Sequence, residues 1–162
     1  MLRSSETTRF AIGGRISVAA DGRLAFANAA NSIYVYDPQS ASLDVVYTTG
    51  RALYAPTWSA DGQRIAFLET AYENGTYRGT AVRVLTLASG ALSTPVVLPG
   101  AFQPSTSKSD YSVAWCSGDT QLAFTAENAQ HQTHVWLVAA NGGPARQFTH
   151  FPAHHANVSC SR

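Results

Sequence analysis

Residues 55–67 read APTWSADGQRIAF, and residues 112–124 repeat this pattern as SVAWCSGDTQLAF. A shorter version, ISVAADGRLAF, precedes both at residues 16–26, and NVSCSR at residues 157–162 begins a further copy. Self-similarity at a spacing of tens of residues indicates a repeat architecture, in which each repeat is one supersecondary unit that stacks on its neighbours. The sequence therefore predicts a scaffold of stacked repeats.

Each repeat divides into four short β-strands joined by tight turns. The predicted strands are 16–19, 23–28, 32–37 and 43–49 in the first repeat, 54–59, 64–69, 80–87 and 92–98 in the second, and 111–116, 121–127, 133–139 and 145–149 in the third. Gly62 supplies the positive φ that the turn after Trp58 requires. Four antiparallel strands per repeat are typical of a β-propeller blade. A β-sandwich of about twelve short strands is the alternative, but its strands need not repeat a motif.

The predicted fold class is therefore all-β, a β-propeller with about three four-stranded blades plus the first strand of a fourth. The predicted divisions are a lead-in at 1–15, blade 1 at 16–50, blade 2 at 51–99, blade 3 at 100–150 and the start of blade 4 at 151–162. One blade cannot bury both of its faces, so neighbouring blades must stack on it. The aromatic residues of the repeat are predicted to form the core between blades: Trp58, Phe67, Trp115 and Phe124.

Composition excludes several classes of function. The chain has 162 residues, of which 45% are hydrophobic and 13% charged, so disorder is not expected. A net charge of +1 gives no electrostatic reason to expect nucleic acid as a partner. No apolar run approaches the ~20 residues that span a bilayer, so membrane insertion is not expected. The N-terminal residues of this chain do not read as a signal peptide, and the compartment, periplasmic or cytoplasmic, stays open.

The two cysteines are too few for a disulfide framework. Cys160 occupies the repeat position of Trp58 and Trp115, and the favoured interpretation is a buried thiol rather than a bridge. Cys116 lies one residue past that position and is expected to face the opposite side of its strand.

The motif PTWSADG at 56–62, followed by IAF at 65–67, resembles the WD40-like repeat of TolB-type propellers. Residues 134–149, HVWLVAANGGPARQFT, are similar to the hydrophobic strand, Gly-Gly turn and closing strand of the same family. The resemblance implies a ring of usually six blades that acts as a protein-binding platform or as a non-catalytic domain of a larger enzyme, such as a prolyl-oligopeptidase-type peptidase. Three blades then leave three alternatives: a piece of a longer propeller, a half-ring that forms a homodimer with a second copy, or a ring closed by another protein.

Longer segments fall on one side of the predicted disc, opposite the Asp-Gly turns, at 70–79, 100–110, 128–132 and 150–155. We call this side the long-loop face. Longer loops on one side of a repeat array often mark its binding side. The candidate contact residues are Tyr72, Tyr77, Arg78, Phe102, His131 and His154.

No catalytic residue, cofactor or metal site is predicted, because the chain contains no nucleophile elbow, phosphate-binding glycine loop or paired-cysteine zinc motif. A weak resemblance to manganese-binding oligogalacturonate lyases, themselves TolB-like propellers, involves His150 with His154 or His155. Solvated loop histidines are the favoured interpretation. The leading hypothesis is a non-catalytic scaffold that binds a protein partner, and the alternative is an accessory propeller of a peptidase or half of such a lyase.

Overall fold

The computed structural model describes residues 15–28, 31–98, 112–127, 132–151 and 157–160. Within these ranges the chain forms β-strands and no helix, which confirms the all-β prediction. The strands are β1 (Ser17–Val18), β2 (Leu24–Ala27), β3 (Ser32–Asp37), β4 (Ser42–Thr48), β5 (Ala52–Trp58), β6 (Arg64–Glu73), β7 (Thr76–Thr86), β8 (Ala91–Leu98), β9 (Val113–Cys116), β10 (Gln121–Glu127), β11 (Thr133–Ala139) and β12 (Arg146–Gln147).

The strands form three antiparallel sheets, ordered β1-β2-β3-β4, β5-β6-β7-β8 and β9-β10-β11-β12. Consecutive strands therefore pair in chain order, as in the four-stranded antiparallel meander of a propeller blade. The repeated motif covers the first hairpin of each sheet. Its residues pair in matching register, since Trp58 lies opposite Ile65 and Trp115 lies opposite Leu122.

The Asp-Gly turn after β5 shows why the motif contains those residue types. The Asp61 carboxylate accepts hydrogen bonds from the Ser59 hydroxyl (2.5 Å) and from the Gln63 backbone N–H (2.9 Å). These two hydrogen bonds, the Ser59 bond first, hold the pKa of Asp61 below its ordinary value. Gly62 adopts a φ of +65°, which a side chain would strain. The motif is therefore turn chemistry, and Asp61 is already engaged by its own loop.

One predicted loop is instead part of a long hairpin. The sequence analysis placed a loop at 70–79, but β6 continues to Glu73 and β7 begins at Thr76. Only Asn74 and Gly75 form the connection, with φ values of +50° and +75°. Positive φ at both central residues is the type I′ turn that Asn-Gly favours, and its twist matches that of the flanking strands. The turn therefore extends the sheet beyond the end of the repeat motif.

Two apolar clusters join the three sheets. The first lies between the sheets that contain β2 and β6 and includes Trp58 and Phe67, which are 3% and 0% exposed. The second lies between the sheets that contain β6 and β10 and includes Trp115 and Phe124, which are 9% and 0% exposed. Each aromatic pair thus packs against the preceding sheet, so neighbouring sheets cover one another face to face.

An arginine from the preceding sheet covers each buried tryptophan. The guanidinium of Arg23 lies 4.7 Å from the ring centroid of Trp58, and that of Arg64 lies 4.6 Å from the ring centroid of Trp115. Both distances fall within the range of cation–π attraction. Arg23 and Arg64 occupy the same repeat position, so the contact is a repeated feature of the junctions between blades. The repeat pattern alone does not predict this contact, because the arginine and the tryptophan lie in different repeats.

The predicted first strand of a fourth blade stays a prediction. Its described residues, 157–160, form no β-ladder with another described strand. They lie beside β9, where the Val158 backbone N–H donates a hydrogen bond to the Ser112 hydroxyl (3.0 Å).

We expect Trp115→Ala to lower the free energy of unfolding by about 3–5 kcal/mol, because truncation leaves a cavity between two sheets. Urea denaturation followed by circular dichroism measures the change. Tyr72→Ala, which removes a side chain that is half exposed, is the matched control and should change stability by less than ~1 kcal/mol. A loss below ~1 kcal/mol for Trp115→Ala would show that the tryptophan does not support the junction.

Gly75→Ala should destabilise the chain by about 1–2 kcal/mol, because the left-handed backbone at this position disfavours any Cβ. An added Cβ meets no atom within 4 Å, so the effect is purely one of backbone conformation. Gly50→Ala is the control, since its added Cβ is equally unhindered and its φ is ordinary. We expect the control to be neutral or more stable by up to ~1 kcal/mol in the same denaturation experiment. Equal effects of the two substitutions would contradict the type I′ turn.

Candidate functional site

The structure describes three of the six predicted contact residues, and all three lie on the β6–β7 hairpin. Tyr72 is 51% exposed near its tip, and its backbone lies opposite that of Tyr77. Arg78 is exposed and forms an ion pair with Glu73 at 2.9 Å. The tip therefore presents an aromatic side chain beside a solvated ion pair. The other predicted residues, Phe102, His131 and His154, lie outside the described residues.

A cleft runs along the first strands of the three sheets, which we call the inner strands (β1, β5 and β9). It has a volume of about 350 Å³. Its walls are formed by residues 15–17, 55–58 with Ala60, 112–119 and 158–160. This cleft lies outside the long-loop face and was not predicted from the sequence, because its walls come from four separate segments of the chain.

Hydroxyl groups tie the inner strands together along the cleft. The Ser17 hydroxyl accepts a hydrogen bond from the Trp58 backbone N–H at 3.1 Å. The Ser112 hydroxyl accepts one from the Val158 backbone N–H at 3.0 Å. The Asp119 carboxylate accepts one from the Ala60 backbone N–H at 2.6 Å. The lining thus combines apolar side chains, among them Trp58, Val113 and Trp115, with a few small polar side chains and the Asp119 carboxylate. Apolar walls with a few fixed polar groups are the usual composition of a binding cleft.

The two cysteines also meet in this cleft. The structure joins Cys116 to Cys160 in a disulfide, with Cα atoms 5.3 Å apart. The interpretation of Cys160 as a buried thiol is therefore wrong. The physical reason is that residues 157–160 lie beside β9, so that two positions distant in sequence become neighbours across a junction.

The most buried carboxylate of the described chain belongs to the scaffold. The Glu69 side chain, on β6, is 2% exposed. It accepts hydrogen bonds from the hydroxyls of Tyr47 and Thr49 and from the guanidinium of Arg83, and Arg51 lies 3.6 Å away. Burial would raise the pKa of Glu69, but the bonds from Arg83, Thr49 and Tyr47 outweigh it and leave the pKa below its ordinary value. Because Tyr47, Thr49 and Arg51 lie on β4 or on the connection from β4 to β5, the Glu69 carboxylate holds this connection against β6.

The histidines of the described chain do not converge. His134 is buried on β11, whereas His150 is exposed after β12. Across the described ranges, no three His, Cys, Asp or Glu side chains are grouped to hold a metal ion. His155, like His154, lies outside those ranges. In the same part of the chain, no helix has the length and apolar character needed to cross a membrane.

Comparison with known proteins gives matches in structure only. No family model matches the chain, and no curated protein matches it in sequence. Several solved structures share its fold. An oligogalacturonate lyase from Vibrio parahaemolyticus has a TM-score of 0.61 at 12% identity, over 80% of this chain and 38% of that one. TolB from Acinetobacter baumannii has a TM-score of 0.59 at 17% identity, over 85% and 32%.

The third comparison is with the β-propeller domain of the Trilobed protease from Pyrococcus furiosus. Its TM-score is 0.52 at 15% identity, over 88% of this chain and 45% of that domain. The chain thus spans less than half the length of each of these three structures. Together with the three four-stranded sheets, the matches define the class of protein as a β-propeller. More particularly, the chain has the TolB-like propeller fold, as its repeat motif predicted.

We expect Glu69→Gln to cost about 1.5–3 kcal/mol of stability at pH 7, because hydrogen bonds to a charged group are the stronger ones. The pKa of Glu69 is lower in the folded protein than its ordinary value of 4.5. The ionised carboxylate therefore stabilises the fold above pH 4.5, and this contribution is lost as the pH falls through the lower folded-state pKa.

Denaturation of the parent protein and of Glu69→Gln at several pH values between 7 and 3.5 measures their difference in stability. This difference should narrow as the Glu69 carboxylate becomes protonated. Glu73→Gln, which alters the exposed ion pair at the hairpin tip, should stay within ~1 kcal/mol of the parent protein. If the loss of stability in Glu69→Gln did not change with pH, the charge of the carboxylate would not be what stabilises this region.

Proposed function

We propose that this chain is a non-catalytic propeller module that binds a protein partner through the cleft between its inner strands. The observation that supports the proposal is the composition of that cleft. Its walls combine apolar side chains with a few small hydroxyls around a volume of about 350 Å³, large enough for a few residues of an inserted peptide. The described carboxylates with strong hydrogen-bond networks, Asp61 and Glu69, are engaged by their own scaffold.

The hairpin tip is a second, separate site of proposed contact. Tyr72 is half exposed on a two-stranded hairpin, and tyrosine is among the residues enriched where proteins bind one another. We propose that Tyr77, Arg78, Phe102, His131 and His154 belong to the same surface, as the long-loop face of the repeat array predicts. The hairpin tip and the Asp-Gly turn that borders the cleft lie at opposite ends of β6, so the two sites are tested separately.

An affinity experiment with substituted baits tests this proposal. Ser159→Trp fills the cleft from an exposed position of its wall, and Tyr72→Ala removes the aromatic group at the hairpin tip. Gln39→Ala, in the exposed turn between β3 and β4, is the control. We expect Ser159→Trp to weaken the captured partner at least ~10-fold and Tyr72→Ala to weaken it less, with unchanged melting temperatures. Equal capture by all baits would contradict a role for the cleft and the hairpin.

A second copy of the chain is a further candidate partner. The first sheet presents Val18, Leu43 and Val45 on its outward face, and the last presents Phe148, all exposed in the described structure. Two half-rings that cover these faces would form a six-bladed propeller with two-fold symmetry. Light scattering after size exclusion, at several concentrations, measures this. A mass twice that of the monomer supports the homodimer, and a monomer at all concentrations contradicts it.

The accessory propeller of an enzyme is the second candidate function. It is favoured by the similarity to the propeller domain of the Trilobed protease. A native reading frame that joins this propeller to a hydrolase domain would support it. The lyase form is tested by elemental analysis of the purified chain for manganese and by assay on oligogalacturonate, and the absence of both metal and activity would exclude it.

A further inference from the structure

The junction after the third sheet differs in chemistry from the two junctions before it. At the first two, an arginine covers the tryptophan of the following inner strand, with Arg23 on Trp58 and Arg64 on Trp115. At the third, the corresponding repeat positions hold Gln121 and Cys160. Glutamine carries no charge and cysteine no ring, so a cation–π contact cannot form there.

A disulfide links the strands at the third junction instead. Cys116 lies one residue past Trp115 in β9, at the repeat position that Ser59 occupies after β5. Its bond to Cys160, 44 residues further along the chain, holds the segment 157–160 against β9. Among the described residues, the hydrogen bond from Val158 to Ser112 is the other polar contact of this segment. The disulfide is therefore the covalent contact that holds the described segment against β9.

The same disulfide forms part of the cleft. One wall of the cleft is formed by Val158, Ser159 and Cys160. Cys116 lines the cleft from the adjacent inner strand, β9. Any change that released the segment 157–160 would remove that wall. The shape of the cleft thus depends on a bond that reductants can break.

We propose that the Cys116–Cys160 disulfide is a redox-sensitive lock on the third junction: it closes one wall of the cleft when oxidised and releases it when reduced. A dithiol is the reductant. Cys160 is half-buried and Cys116 is buried, so the attacking thiolate reaches Cys160 Sγ first. The disulfide bond breaks, a mixed disulfide forms at Cys160, and Cys116 leaves as a thiolate that takes up a proton. The second thiol of the reductant then displaces Cys160, which also takes up a proton, and the dithiol leaves oxidised to its own disulfide.

The lock does not depend on what the cleft binds, but its consequence for partner binding rests on the proposed function. Local opening without global unfolding is expected because the segment 157–160 shares no β-ladder with another described strand. The three sheets retain their apolar clusters and both arginine–tryptophan contacts after reduction. Reduction therefore acts on one wall and leaves the scaffold in place.

Hydrogen exchange followed by mass spectrometry tests the lock on the full chain, with and without dithiothreitol. We expect reduction to accelerate exchange in the peptide that covers 157–160 at least ~10-fold, with unchanged exchange in β5–β8. The Cys116→Ser/Cys160→Ser double variant is the matched control. It should show the fast exchange without reductant and no response when reductant is added.

Three results would overturn the proposal. They are two alkylatable thiols in protein purified without reductant, unchanged exchange at 157–160 after reduction, and faster exchange in all three sheets. The last would mean that the disulfide supports the whole fold. Affinity for the partner captured in the bait experiment is measured separately in both redox states. If reduction changes hydrogen exchange but not affinity, the lock stands and only its regulation of binding is refuted. If all baits capture the partner equally, the proposed function is refuted and the lock is unaffected.

Discussion

The structure depends on the stacking of one four-stranded sheet on the next. A single sheet exposes two faces and has no core of its own, so each sheet becomes stable only when neighbours cover it. Trp58 and Trp115 lie where that covering occurs, buried against the preceding sheet and covered by an arginine from it. The repeated motif is the means by which the same junction is built more than once.

This constraint determines where function can lie. The residues that repeat are engaged in turns and junctions, and Asp61 is an example, since its carboxylate closes its own loop. Glu69 does not repeat, yet its burial and its partners give it an equally structural role. The proposed recognition is therefore assigned to features that differ from blade to blade: the β6–β7 hairpin, and the cleft where unlike residues of the inner strands meet.

The sequence could predict the sheets because their signals are local. Tight turns and alternating apolar residues recur in each repeat, and pairing in chain order follows from them. The length of the β6–β7 hairpin was predicted wrongly, although Asn74 and Gly75 are a local signal for the turn that extends it. The disulfide has no local signal: Cys116 and Cys160 are 44 residues apart, and only the placement of 157–160 beside β9 makes them neighbours. The cleft is not local either, since each inner strand contributes only a few residues to it.

The third junction, unlike the first two, depends on the redox state of the surroundings. The contacts of Arg23 and Arg64 with their tryptophans form in any aqueous compartment, because they need only a charge and a ring. The contact between Cys116 and Cys160 forms only where an oxidant is present and persists only where reductants are scarce. The first two junctions have an arginine–tryptophan contact and the third has a disulfide. Only the third junction is therefore sensitive to the redox state of the surroundings. Since that junction also forms a wall of the cleft, the proposed lock would let the environment change the cleft while the packed sheets stay unchanged.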